Sequence, residues 1–298
     1  MKVTSLPDLP LLPPGEAGPR EVAIGTFDGV HIGHREVIRD SDAVLTFEPH
    51  PLAVLHPQAL PKLLTSFEQK RDLIGGLAVE ELVVIPFDRE FASKTADEFV
   101  EQALVGQLGA TQVSIGENFR FGKKAQGTPE FLSARPEFET RIVPLVEALG
   151  ETASSSHIRG LVAAGDVAHA AEFLGGPFLL EGEVVTGDQR GRDLGFPTAN
   201  IVPDDSLVVP GHGVYAAWAH GHPAAVNVGV RPTFETGRGL LVEAYLIDYD
   251  ADLYGETLRV AFMERLRGER RFESAEALVD QMRKDVEQTR EICAKKRP

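Results

Sequence analysis

GTFDGVHIGH, Gly25 to His34, places two histidines three positions apart beside an aspartate and three glycines. The run EVAIGTF (21–27) that leads into it is short, apolar and strand-like, and REVIRD after it reads as a short helix. A helix start offers unpaired N–H groups and the positive end of the helix dipole, so a strand–turn–helix of this kind is an anion site. Gly29 and Gly33 let a phosphate approach the backbone. His31 and His34, at i and i+3, are expected on one helical face, from which both can donate to the same phosphate oxygens as negative charge builds there. Attack on a nucleotide α-phosphate needs that positioning and charge stabilisation, with no covalent nucleophile. Neither HExxH nor Cys-x-x-Cys accompanies the pair, which argues against zinc.

Outward from this stretch, the first half alternates strand and helix signals. AVLTFE (43–48), ELVVIPF (81–87) and TQVSIG (111–116) read as further strands. Ser66 stands three before Gln69 and Thr95 three before Glu98, two capping boxes that open helices. Alternating strands and helices predict a parallel α/β sheet of Rossmann-like type, with ligands at the carboxyl ends of its strands. SSSHIRGLVAAGD (154–166) and DVAHAAEFLG (166–175) read as two short helices stopped by Gly165 and Gly175. After Gly176-Pro177 come FLLEGEVV, GVYAAWA, AAVNVGV, LLVEAYLIDY and TLRVAFME, apolar or alternating runs that predict an antiparallel β-barrel, with HGH (220–222) as a hairpin turn. A terminal helix is expected from Ser274. The expected domains are 1–178 and 179–298.

The 298 residues hold 45 acidic and 30 basic side chains, a net charge of -15, and 43% are hydrophobic. Two cores are affordable at this length. Such a charge repels nucleic acid but leaves room for small phosphorylated ligands held by local cations. The only cysteine, Cys293, falls in the charged tail. It permits no intramolecular disulfide and suits a reducing compartment. Four prolines interrupt MKVTSLPDLPLLPPGEAG before a signal-peptide core forms, and no apolar run is long enough to span a membrane. A cytoplasmic protein with no membrane partner is expected, a monomer or weak homo-oligomer.

GTFDGVHIGH resembles the HxGH signature of nucleotidyltransferases. Its longer form is similar to the adenylyltransferase module of the bacterial bifunctional riboflavin kinase/FMN adenylyltransferase (FAD synthetase) family. TFEPHP (46–51), GENFRFG (116–122) and SSSHIR (154–159) resemble further motifs of that module, in the same order. The resemblance implies that His31, His34 and Arg159 are catalytic. It places Gly25, Phe27, Asp28, Gly33, Asn118, Ser155 and Ser156 around ATP and its phosphates, and Phe47, Pro49 and His50 on the flavin side. One departure stands out. Only REVIRDSDAVL separates GH from TFEPHP, where the family has a longer helix.

In GDQRGRDLGFPTAN (187–200), the tetrapeptide PTAN resembles the riboflavin kinase signature. By that resemblance Gly187, Arg192, Gly195 and Thr198 meet the nucleotide phosphates, and Thr198 and Asn200 hold Mg²⁺, a hard cation that takes oxygen ligands. Glu243 interrupts an apolar strand. Its V-E segment matches the family's catalytic base, and the match runs through DLYG (252–255). The whole implies ATP as co-substrate, riboflavin, FMN and FAD as ligands, and Mg²⁺ as cofactor. Two alternatives are a riboflavin kinase whose first domain is impaired by the shortened helix, and a flavin- or nucleotide-binding protein without turnover.

Overall fold

The computed structural model describes residues 1–11, 20–186, 195–230 and 240–297. By their contacts the residues form two units, Met1–Pro61 with Thr65–Ser155, and Lys62–Leu64 with Ser156–Pro298.

In the first unit six parallel strands make one sheet. They are β1 (Lys2–Ser5), β2 (Glu21–Ile24), β3 (Ala43–Glu48), β4 (Glu81–Pro86), β5 (Gln112–Gly116) and β6 (Glu139–Val143), in the order β1-β4-β3-β2-β5-β6. The central strands are apolar on both faces, as a sheet covered on both sides requires. Ile24, Leu45, Val83 and Ile115 pack in one core, while Ala23, Val44 and Leu82 pack in another. The connecting helices are α1 (Ile32–Ile38), α2 (Pro51–Leu55), α3 (Phe67–Gly75), α4 (Ala96–Glu98, widening into a π-helix over Phe99–Gln107) and α5 (Pro129–Ser133). Both capping boxes form, Ser66 with Gln69 and Thr95 with Glu98. From β2 the chain steps to β3 and then β4 on one side, and returns to β5 on the other. The switch point therefore lies between β2 and β5, where open α/β sheets place ligands. GTFDGVHIGH leaves the end of β2, and GENFRFG leaves the end of β5. A small hairpin, β7 (Glu147–Ala148) and β8 (Glu151–Thr152), completes the unit.

The second unit opens with α6 (Ser155–Ala164) and α7 (Val167–Leu174). Gly165 and Gly175 end them with left-handed backbone, φ 84° and 69°. Six antiparallel strands then close into a barrel: β9 (Phe178–Val185), β10 (Ala199–Pro203), β11 (Gly213–Ala219), β12 (His222–Val230), β13 (Leu240–Leu246) and β14 (Thr257–Arg267). His220 and Gly221 supply the tight turn between β11 and β12, with φ 50° and 79°. Val242 and Ala244 are fully buried and pair with Val228 and Val226, so Glu243 between them faces away from the barrel core. α8 (Ala275–Lys295) is capped by Ser274 and packs on β11 and β12. Cys293 is a core residue of that helix and not part of a solvated tail; its thiol donates to Ala217 O at 3.4 Å. Burial pushes it up to about 11, which leaves it an inert thiol.

β1, β6 and β10 have no counterpart among the expected strands. β1 and β6 are the sheet's edges, half wet and without a clean apolar pattern. β10 is hidden behind the turn signal of PTAN.

Gly182 sits where β9 pairs with β10 and β14, and a Cβ there would lie 2.6 Å from the Val202 carbonyl. Gly182→Ala is expected to destabilise the barrel by about 2–3 kcal/mol. Denaturant unfolding followed by fluorescence of Trp218, the only tryptophan, reads this directly.

Candidate active site

The loop after β2 is held in an unusual backbone path. Phe27 and Val30 adopt left-handed φ of 52° and 42°, and Gly29 a φ of 84°. Positive φ in a β-branched residue is strained, at roughly 1–3 kcal/mol. Phe27 and Val30 are both buried, which offsets that cost. Thr65, just before α3, grips the loop from the side. Its N–H donates to Asp28 Oδ1 at 3.3 Å, and Gly29 N–H donates to Thr65 Oγ1 at 3.2 Å. Ser155 Oγ donates to the Asp28 carbonyl at 3.0 Å. Gly25 is needed for packing, since a Cβ there would meet the Phe27 ring at 2.9 Å. Phe27 and Asp28 are thus buried supports of the loop.

His31 lies outside α1. It is the N-cap, and its Nδ1 accepts the His34 N–H at 3.3 Å. The expectation of two histidines on one helical face gives way to a cap geometry, which stacks the rings at 3.6 Å with 19° between planes. Because Nδ1 accepts, the ring proton of neutral His31 sits on Nε2. A Cβ on Gly33 would come within 3.1 Å of this ring. The edge of Phe27 meets His34 at 5.4 Å. Burial pushes His31 down to about 4, and burial, His31 and Lys70 together push His34 well below the ordinary imidazole range. Both rings are therefore neutral donors at pH 7. His34 Nδ1 is buried with no hydrogen-bond partner.

A cleft of about 1090 Å³ opens in the same unit, bounded by Thr26 of the loop, Phe47, His50 and Asn118. Three of the sequence-derived residues thus share one cavity, while Pro49, exposed beyond a cis bond from Glu48, is not part of its wall. His50 caps α2 by accepting the Leu52 N–H at 3.1 Å. Sequence reasoning missed most of the lining. Phe87, Phe91, Phe99 and Phe121 make it aromatic, and Arg89, Lys94, Arg120, Lys123 and Lys124 ring it with positive charge. The one sequence signal was the basic, aromatic run FRFGKK after β5. On α6, Ser156 and Arg159 are adjacent, with Arg159 Nη2 donating to Ser156 Oγ at 3.2 Å.

In the barrel, Thr198 and Asn200 line a cavity of about 400 Å³ with Tyr249, Asp250, Asp252 and Tyr254. Glu243 is opposite Asn200 on the neighbouring strand, and Asn227 is opposite Glu243 on its other side. The register thus makes one polar row across three strands, although Glu243 is not part of the cavity wall. Asn200 is buried, and its Oδ1 has no hydrogen-bond partner. An orphaned amide oxygen beside a hydroxyl and two carboxylates suits a hard divalent cation. Gly195 forms a left-handed turn, φ 84°, before this row. Gly187 and Arg192 lie outside the described residues.

Residues 15–157 match the FAD synthetase family model and residues 174–293 the riboflavin kinase model. The bifunctional riboflavin kinase/FMN adenylyltransferase of Listeria monocytogenes is 34% identical over 291 residues, 92% of this chain and 92% of that protein. That of Bacillus subtilis is 36% identical over 288 residues, 90% of each. A crystal structure described as a macrolide-efflux protein from Streptococcus pneumoniae has a TM-score of 0.86 and 32% identity, covering 97% of this chain and 99% of that one. Among the described residues, no helix is long and apolar enough to cross a membrane.

Unfolded, His31 takes up a proton near 6.5; folded, only near 4. The unfolded state binds more protons between these values, so stability is complete above about 6.5 and falls as pH drops towards 4. The gap of 2.5 units corresponds to roughly 3 kcal/mol. Native-state hydrogen exchange in β2 and β3, corrected for intrinsic rates, is expected to show this loss, and His31→Gln to flatten it.

Proposed function

Because the chain belongs to the bifunctional riboflavin kinase/FMN adenylyltransferase family, we propose that it makes FAD in two ATP-dependent steps, one in each unit. It is a transferase that takes riboflavin, FMN and ATP as small-molecule substrates. The observation that carries the residue assignments is that each unit holds, at its signature motif, a buried polar atom without a protein partner: His34 Nδ1 in one and Asn200 Oδ1 in the other.

In the barrel, Glu243 accepts the proton of the riboflavin 5′-hydroxyl as its oxygen bonds to the γ-phosphorus of ATP and the bond to ADP breaks. Thr198 and Asn200 are the residues to hold Mg²⁺, with Gly187, Arg192 and Gly195 near the phosphates. When bound, the cation neutralises charge on the phosphate oxygens. Asn227 and Asn200 flank Glu243 in register.

In the parallel-sheet unit, an FMN phosphate oxygen attacks the α-phosphorus of a second ATP, and pyrophosphate leaves. His31 Nε2–H and His34 donate to the phosphate oxygens as charge builds. Gly25, Phe27, Asp28 and Gly33 of the loop, with Asn118 and Ser155, are assigned to ATP and its phosphates; Ser156 and Arg159 of α6 carry the same assignment through the family motif alone. The isoalloxazine lies in the aromatic cleft at Phe47 and His50, with Pro49 outside its wall, and the cations around the cleft attract the FMN phosphate to a chain whose net charge is -15. We assign the protein to the cytoplasm, as a monomer or weak homo-oligomer.

The short connection after His34 does not favour an impaired first unit. α1 is a complete capped helix whose Val37 and Ile38 are buried, with Ser114 Oγ donating to the Val37 carbonyl at 2.7 Å.

His31→Ala is expected to cut FAD formation from FMN by about a hundredfold or more while riboflavin phosphorylation continues. Glu243→Gln is expected to cut FMN formation by about 10²–10⁴ while FAD still forms from supplied FMN. Chromatography of flavin products with fluorescence detection separates the cases. Loss of both products in either variant would refute the division between units.

A further inference from the structure

Lys70 is a buried lysine that neither step uses. Only 7% of it is exposed, although it belongs to a helix that starts at the surface. Its Nζ lies 3.4 Å from the Thr26 carbonyl, in the middle of the phosphate loop, and 3.6 Å from Glu48 Oε2 at the end of β3. The Phe67 ring is 5.7 Å away. Together with the Thr65 contacts to Asp28 and Gly29, this amine ties the loop to α3 and the residue before its cap at three places, Thr26, Asp28 and Gly29.

A buried lysine is costly unless something is gained by its charge. Burial opposes the ammonium and lowers this amine below the ordinary lysine range, and the carboxylates of Glu48 and Asp28, which face it, offset part of that. The charged or titratable groups that face His34 are His31, on the loop side, and Lys70, from α3. The lysine therefore acts on His34 through space and on the loop through a hydrogen bond.

We propose that Lys70 is a positioning residue for adenylyl transfer, its ammonium fixing the phosphate loop at Thr26 and placing a positive charge in the field of His34. This rests on the assignment of His31 and His34 as donors to the phosphates. A buried methionine of similar length would fill the space and do neither.

The test uses the full chain, with FMN and ATP for one activity and riboflavin and ATP for the other. Lys70→Met is expected to lower kcat for FAD formation by about tenfold to a hundredfold, with the KM for FMN little changed and riboflavin phosphorylation intact. The ring-proton resonances of His34 should titrate higher than in the parent, by about half a unit or more, and Lys70→Arg should restore both readouts. If Lys70→Met fails to fold, Lys70→Gln replaces it: its amide can still donate to Thr26, so the rate loss shrinks while the His34 shift persists. An unmoved His34 titration, or equal loss of both activities, would make Lys70 a packing residue and overturn the proposal. His34→Ala is run in parallel. If it leaves FAD formation intact, the histidine assignment itself falls; if it abolishes FAD formation while Lys70→Met is silent, only the Lys70 proposal falls.

Discussion

The hydrogen bond from the His34 N–H to His31 Nδ1 constrains much of the first unit's chemistry. It starts α1, selects the tautomer that leaves a proton on His31 Nε2, and forces the two rings into a stack. Burial of the stacked pair disfavours either charge, and His31 and Lys70 add to this at His34, so both imidazoles stay neutral. That bond can form only if the chain arrives at His31 from a particular direction. The left-handed Phe27 and Val30 provide that direction, and their burial in the core behind the sheet keeps them there. Strain in the loop, packing in the core and donor geometry at the phosphates are therefore one problem with one solution.

The electrostatics follow a similar division between general and local. A chain with net charge -15 must collect anionic substrates against its own field. The first unit sets five cations around one aromatic cleft. The barrel relies on oxygen donors instead, with Thr198, Asn200, Asp250 and Asp252 on one cavity.

Much of this was legible in the chain itself. Capping boxes at Ser66 and Thr95, the glycine stops at Gly165 and Gly175, and the His220–Gly221 turn depend on residues within a few positions of one another, and all formed as expected. The alternation around Glu243 is visible in the strand itself, because period-two patterning is a local property. The edge strands β1 and β6 escaped notice because an edge buries too little to demand a pattern.

What the sequence alone determined was the two-part fold, since short-range turn, cap and periodicity signals carry it; its signature loops and their phosphate chemistry were legible through the resemblance of their motifs to a known family. Tertiary structure alone decided that His31 caps the helix, that both histidines lose their charge, that Lys70 is buried against Thr26, and that Cys293 is core. Each of those depends on atoms brought together from distant parts of the chain, where desolvation and Coulomb fields, invisible in any local window, set the proton affinities.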